Sequence, residues 1–239
     1  MIKKRLAAMV TVKRGWAVQS FGYGRYLPLG KPEVLVQNLD RWGADEIFLH
    51  CIDRGDAGPD LELLGKVSRL GLATPLIYGG GIRTVEHGVR AVQSGADRVC
   101  VDQLLHDDLP TALALGEALG AQASSAAWLV TATGNGLLWH DDRDGSDKPF
   151  TAPLLDALRT GALSEALVID WKHEGMPSGF DIRLAQQFPV PHAPLICFGG
   201  VSEPDQLRDI LALPNVVACT VGNFLNYREH AIQHLKSRL

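Results

Sequence analysis

The feature that most constrains the fold is a series of eight short apolar segments separated by longer stretches of mixed polarity. Within each segment apolar residues follow one another directly, as in parallel strands that are covered on both faces. Several stretches between them carry apolar residues at helical spacing and end near Gly or Pro. Eight strand–helix units predict an α/β protein in which a single (β/α)8 TIM barrel spans residues 1–239. The segments are LAAMVTV, DEIFLHCI, TPLIYGG, DRVCVD, AAWLVTA, EALVID, APLICFGG and VVACTV.

The two halves of the sequence are similar to each other. GGGIRTVEHGVRAVQSGADRVCVD parallels FGGVSEPDQLRDILALPNVVACTV, and the Ile-Asp pair at 52–53 parallels that at 169–170. Repeats offset by about half the chain predict two half-barrels, over residues 1–120 and 121–239. A polar insertion, WHDDRDGSDKP, follows the fifth predicted strand, and it is interpreted either as a mobile loop or as a solvated hairpin tip.

Composition and charge argue against several classes of protein. The formal net charge is −4 and the basic residues are scattered, which disfavours nucleic-acid binding. Four cysteines lie far apart without a CxxC pair, so neither a zinc site nor a disulfide framework is predicted. Lys13 and Arg14 end the first apolar stretch before a signal peptide or membrane span could form, so we expect a cytoplasmic protein. No dinucleotide fingerprint follows the first strand, and we predict no cofactor and no metal.

Glycine clusters follow the third and the seventh predicted strands. Gly80 and Gly81 belong to the first cluster, and Gly199 and Gly200 belong to the second. Without side chains, backbone N–H groups can approach an anion closely, and the following helix N-terminus adds a favourable dipole. Phosphate binding is therefore predicted at both clusters, with tight turns that need a positive φ as the alternative.

The residues beside the two clusters differ. Gly222 and Asn223, in CTVGNFLNYREH, can complete a phosphate site beside the second cluster with a backbone N–H and a side-chain amide. Beside the first cluster the corresponding stretch is VCVDQLL, where Asp102 places a carboxylate at the position of the phosphate. Like charges in a desolvated site are costly, so this end is predicted either to have lost phosphate binding or to bind a cationic or hydroxyl group.

Seven segments together resemble the cyclase subunit of imidazole glycerol phosphate synthase, a barrel of histidine biosynthesis, over nearly the whole chain. They are MIKKRLAAMVTVKRGWAV, ADEIFLHCID, LIYGGGI, SGADRVCV, MPSGFD, ICFGGV and FLNYRE. In that family the barrel takes ammonia from a separate glutaminase subunit. It joins the ammonia to a phosphorylated ribulosyl intermediate that carries a phosphate at each end.

The same resemblance assigns roles at the amino-terminal end of the barrel strands. Four charged residues form an ammonia gate in the family, and Asp97 matches an aspartate that docks a lysine of the glutaminase. A heterodimer with a glutaminase subunit is therefore predicted. Exposed ion pairs at strand starts are the alternative for the four charges. The gate positions are Arg5, Glu46, Arg98 and Glu165.

Both aspartates that perform acid–base catalysis in the family are replaced. Thr11 occupies the first position, and the second falls at Thr131 or the adjacent Val130. A threonine hydroxyl cannot act as a general base near neutral pH unless another group deprotonates it. The other polar residues at the mouth are therefore catalytic candidates, with solvated side chains and helix caps as the alternatives. With the two threonines, the candidates are Lys13, His50, Asp53, Asp170 and Lys172, and His173 and Glu174 lie beside them.

These observations favour an enzyme subunit that pairs with a glutaminase and channels or uses ammonia to amidate a sugar other than the histidine precursor. Divergent relatives occur in surface-polysaccharide gene clusters together with a sugar amidotransferase, so the resemblance implies a phosphorylated or nucleotide-linked sugar. Two alternatives stay open. One is a genuine imidazole glycerol phosphate synthase cyclase subunit, and the other is a non-catalytic scaffold that conducts ammonia.

Overall fold

The computed structural model describes residues 4–237, and twelve strands occur within that range. They are β1 (Arg5–Lys13), β2 (Trp16–Phe21), β3 (Arg25–Gly30), β4 (Glu46–Cys51), β5 (Leu76–Gly79), β6 (Arg98–Val101), β7 (Ser124–Thr133), β8 (Gly136–Asp141), β9 (Ser146–Lys148), β10 (Ala166–Ile169), β11 (Leu195–Phe198) and β12 (Val216–Val221).

Eight of these strands form a closed parallel barrel in the order β1, β4, β5, β6, β7, β10, β11 and β12. Strand β12 pairs with β1, which closes the sheet on itself. The eight predicted strands and the TIM barrel are confirmed. Closure places all eight carboxyl ends at one rim, called the mouth here, and all eight amino ends at the opposite rim, called the bottom.

Two antiparallel hairpins extend the barrel at the mouth, and the sequence analysis did not predict the strands of the first. Strands β2 and β3 follow β1, while β8 and β9 follow β7. The insertion WHDDRDGSDKP belongs to the second hairpin, so its interpretation as a hairpin is confirmed. Each hairpin follows the first barrel strand of its half, an arrangement that supports the predicted duplication.

Helices lie between successive barrel strands and cover them. Thr84 shows how one begins, because its side chain accepts a hydrogen bond from the backbone N–H of His87. The helices are α1 (Pro32–Arg41), α2 (Leu61–Ser68), α3 (Val85–Gln93), α4 (Gln103–Asp107), α5 (Leu109–Leu119), α6 (Ala152–Arg159), α7 (Arg183–Gln186), α8 (Pro204–Leu211) and α9 (Ala231–Lys236). None of the helices in residues 4–237 is long and apolar enough to cross a membrane.

The buried apolar residues form two clusters because neighbouring residues of a strand face opposite sides of the sheet. Leu6, Ala8 and Val10 belong to the cluster between barrel and helices, whereas Ala7 and Met9 belong to the cluster inside the barrel. All four cysteines are buried and free of disulfides. The inner cluster separates the bottom of the barrel from its mouth, where the candidate site lies.

Candidate functional site

The four predicted gate residues form one closed ring of ion pairs at the bottom of the barrel. Arg5 lies 3.2 Å from Glu46 and 2.5 Å from Glu165, and Arg98 lies 3.5 Å and 2.5 Å from the same two carboxylates. Each carboxylate therefore contacts both guanidinium groups. The four side chains are only 7–25% exposed. They are not the exposed pairs of the alternative interpretation, and we call them the charged ring.

Burial and charge act in opposite directions on Glu46 of the charged ring. Burial raises the pKa of Glu46, while the neighbouring Arg5 and Arg98 act in the opposite direction. Asp97 lies at the same end of the barrel, where its side chain accepts a hydrogen bond of 2.7 Å from the backbone N–H of Leu76. The residue is otherwise exposed, as a docking residue must be.

At the mouth, the first glycine cluster lines a pocket together with side chains from several other elements. Gly80 and Gly81 follow β5, His50 comes from β4, Asp102 follows β6, and Tyr23 reaches in from the tip of the β2–β3 hairpin. Arg83 completes the wall. The structure thus brings together the predicted residues His50, Gly80, Gly81 and Asp102.

Asp102 carries the most perturbed carboxyl group of this pocket. Burial raises its pKa to about 8, and the nearby carboxylates of Asp142 and Asp141 add to the effect. His106 lies 3.8 Å from Oδ1 of Asp102, too far for a hydrogen bond. Burial lowers the pKa of this histidine to about 4, so it is neutral at pH 7 and does not balance the carboxylate.

Replacing Asp102 by Asn is expected to change how stability depends on pH. Because the folded-state pKa lies above the usual value of about 4, wild-type stability falls as the pH rises from about 4 to 8 and then levels off. Asparagine keeps the shape of the aspartate side chain but has no carboxyl group that titrates. The free energy of unfolding of the variant should therefore exceed that of the wild type by at least about 1 kcal/mol at pH 9 and should equal it at pH 4. Urea unfolding of both proteins at the two pH values measures this, and a pH-independent difference would contradict it.

Beside the second glycine cluster, the side chain of Asn223 contacts the β2–β3 hairpin. The side chain of Asn223 donates a 2.7 Å hydrogen bond to the backbone oxygen of Ser20 and accepts a 3.2 Å bond from its N–H. Its amide thus helps to hold the β2–β3 hairpin and keeps one further N–H donor. Phosphate binding by this side chain stays a prediction, and Gly199, Gly200 and Gly222 follow two neighbouring strands at the mouth.

Glu174 shares this contact region. Its Oε2 accepts a 2.9 Å hydrogen bond from the hydroxyl of Ser20 and a longer one from the N–H of Tyr23. Glu174 is 3% exposed, and burial raises its pKa. It therefore fixes the tip of the hairpin from which Tyr23 enters the first pocket.

The comparisons with known proteins agree with this architecture. Residues 11–111 match the family model described as "Histidine biosynthesis protein". A Vibrio vulnificus protein provisionally named imidazole glycerol phosphate synthase subunit hisF2 is 26% identical over 245 residues, covering 100% of this chain and 89% of that protein. HisF subunits of this synthase from Staphylococcus saprophyticus and Geobacillus kaustophilus are 27% and 28% identical, covering 100% of this chain and 97% of each subunit. The chain is similar to these synthase subunits over its whole length.

Thr11 and Thr131, which were predicted to occupy the catalytic positions with Val130 as the alternative to Thr131, both lie at the mouth and are 6% exposed. Thr131 accepts a 3.0 Å hydrogen bond from Nε1 of Trp171, and His140 stacks on Trp171 at 3.9 Å. Thr131 in β7 therefore makes a neutral hydrogen bond to Trp171, and through Trp171 it connects the barrel to His140 of the β8–β9 hairpin. Neither Thr11 nor Thr131 offers a carboxylate to this synthase-like mouth.

The other catalytic candidates of the synthase-like barrel make structural contacts. Asp170 is 3% exposed and accepts hydrogen bonds from Nδ1 of His173, at 2.8 Å, and from the N–H of Asp181. Asp53 accepts a 2.6 Å bond from the N–H of Arg14. Both carboxylates organise loops, which favours the capping interpretation.

The two candidate lysines lie over aromatic rings. Nζ of Lys13 is 3.6 Å from the ring centre of Tyr26, and Nζ of Lys172 is 5.4 Å from that of Trp171. His50 alone among the catalytic candidates lies in the pocket of the first glycine cluster.

Sequence reasoning missed Tyr23 and Arg83. A local signal existed for Tyr23, because it lies between Gly22 and Gly24, a spacing typical of a tight turn. Its backbone has φ +53°, a conformation that is uncommon for a residue with a side chain. Arg83 gave no signal, since its position depends on contacts with Asp107 and Asp56.

Proposed function

We propose that this barrel receives ammonia from a separate glutaminase subunit at its bottom and delivers it to a sugar substrate at its mouth. The observation that carries the proposal is the charged ring. Two partly buried arginines and two partly buried glutamates converge at the bottom of the barrel, where each charge has two opposite neighbours. A buried arrangement of this kind costs desolvation energy, so it is better explained by a role than by stability.

The interior above the ring is compatible with passage of a small polar molecule. Thr220 pairs with Ala7 on the neighbouring strand, two residues closer to the mouth than the pair of Ala218 with Arg5. Its hydroxyl is buried and has no hydrogen-bond partner within residues 4–237. Ala7 and Ala218 both belong to the inner cluster, and both have small side chains.

The mouth supports a substrate other than the ribulosyl intermediate of histidine biosynthesis. Ring closure and cleavage in the synthase family need two acid–base groups, and Thr11 and Thr131 supply neither. We therefore infer amidation of a different sugar, phosphorylated or nucleotide-linked, in surface-polysaccharide biosynthesis, with a sugar amidotransferase as a further partner. The family resemblance supports a role in surface-polysaccharide biosynthesis. The two threonines at the mouth support a reaction other than ring closure of the ribulosyl intermediate.

The first arm of the test measures glutamate release by a purified glutaminase subunit of the synthase type, with and without this barrel. The barrel is expected to stimulate release at least about tenfold. Asp97→Ala should abolish most of the stimulation, because Asp97 lies exposed at the bottom. Asp56→Ala is the matched control, since Asp56 is exposed at the mouth and should leave the stimulation unchanged. An unresponsive glutaminase would contradict the proposed ammonia supply.

The second arm supplies excess ammonium and the ribulosyl substrate of histidine biosynthesis, with a HisF subunit as the positive control. No detectable turnover is expected. Activity within about a hundredfold of the control would refute the changed chemistry, because losing two acid–base groups costs more than that. Glutaminase stimulation that persists alongside inactivity toward every sugar tested would instead favour the non-catalytic conduit.

A further inference from the structure

The pocket at the first glycine cluster contains four buried polar atoms that lack a hydrogen-bond partner among the described residues. They are Oη of Tyr23, Nδ1 of His50, a terminal nitrogen of Arg83 and Oδ1 of Asp102. All four residues line the same pocket. Unpartnered buried polar atoms are uncommon in folded proteins, and a cluster of them indicates that a ligand completes the contacts.

The charges around this pocket disfavour an anion. Arg83 is its lining cation, and that charge is already shared between Asp107, at 2.6 Å, and Asp56, at 3.5 Å. Asp142 lines the pocket as well, and it raises the pKa of both Asp102 and Tyr23. A phosphate here would meet the carboxyl groups of Asp102 and Asp142, and the guanidinium of Arg83 already contacts Asp107, which also pairs with Arg143.

The chemistry of the four unpartnered atoms is mixed. The guanidinium can only donate, whereas the phenol, the imidazole and the carboxyl group can each donate or accept, according to their protonation state. A sugar hydroxyl also donates and accepts, so adjacent hydroxyls can satisfy all four atoms. A phosphate dianion accepts only.

We propose that this pocket is a subsite for the uncharged, hydroxyl-bearing part of a sugar, held by Tyr23, His50, Arg83 and Asp102. The substrate then carries no phosphate at this end, in contrast to the ribulosyl intermediate with its two phosphates. The inference rests on the proposed function only in taking the mouth as the substrate site, and it does not depend on ammonia transfer.

The test follows the backbone amide signals of the ¹⁵N-labelled barrel by NMR near pH 7 while three probes are added separately. The probes are D-ribose, N-acetyl-D-glucosamine and inorganic phosphate, each up to roughly 100 mM. At least one of the two sugars should shift the amides of Gly80, Gly81 and Asp102 in a saturable way. Phosphate should leave these three amides unchanged.

Two variants identify the contacts. Tyr23→Phe removes one hydroxyl and keeps the ring, so sugar binding should weaken about tenfold. Asp102→Asn can still donate and accept and should bind within about threefold of the wild type. Asp205→Asn, the matched control, alters an exposed carboxylate of α8 outside the pocket and should bind like the wild type.

Three results would overturn the subsite. They are saturable phosphate shifts at the first glycine cluster of the wild type, the absence of shifts there with both sugars, and unchanged sugar binding by Tyr23→Phe. Glutaminase stimulation is measured separately, so failure of the subsite leaves the proposed ammonia supply standing, and the reverse also holds.

Discussion

Glu165→Gln is expected to lower the free energy of unfolding by about 2–4 kcal/mol, which urea denaturation at neutral pH would measure. Glu165 contacts Arg5 and Arg98 at 2.5 Å each, and its side chain is 12% exposed. Glutamine has the same shape but no charge, so both partly buried guanidinium groups would share the single carboxylate of Glu46. Breaking a buried ion pair by removing one partner is costly because the remaining charge stays desolvated.

The matched control is Glu62→Gln, the same chemical change in an exposed pair. Glu62 lies 2.7 Å from Lys66, and the two side chains are 81% and 47% exposed. Solvent screens such a pair, so no measurable change in stability is expected. Equal effects of the two substitutions would mean that the charged ring behaves like an ordinary surface pair, and the main support for the proposed ammonia entry would be lost.

The barrel could be predicted from sequence because its signal is repeated and local. Eight segments of consecutive apolar residues are buried on both faces when they form a parallel sheet flanked by helices. The segments LIYG and LICF, for example, form β5 and β11. The β2–β3 hairpin was missed because its burial pattern is irregular. Trp16 and Leu27 are exposed, so the alternation that marks a half-buried strand is absent.

The candidate site was only partly predictable. The resemblance identified the members of the charged ring, but their closed pairing depends on strand register around the barrel. The pocket at the first glycine cluster joins a hairpin tip to three separate strand ends, and Tyr23 is 79 residues from Asp102 in the numbering of the chain. The contact of Asn223 with Ser20 was not predicted because Ser20 lies at the other end of the sequence. Contacts of such long range leave no local pattern.

A second large effect is expected at the second glycine cluster, where Gly199→Ala should cost about 3–5 kcal/mol in urea denaturation. Gly199 has φ +105°, and an added methyl group would lie far inside the contact distance of the backbone oxygen of Asp170. That oxygen belongs to the backbone and cannot turn aside as a side chain could. The substitution therefore combines an unfavourable backbone conformation with a steric overlap.

Gly161→Ala separates these two causes. Gly161 also has a positive φ, +76°, but no atom of the described part of the chain lies within 4 Å of the position of an added methyl group. It should lose only about 1–2 kcal/mol, the cost of the left-handed conformation. A cost at Gly199 no larger than at Gly161 would show that the loop after Asp170 relaxes. A larger cost would mean that close backbone packing alone requires glycine at this position, so that phosphate binding at the second cluster must be established by titration and not from the glycine pattern.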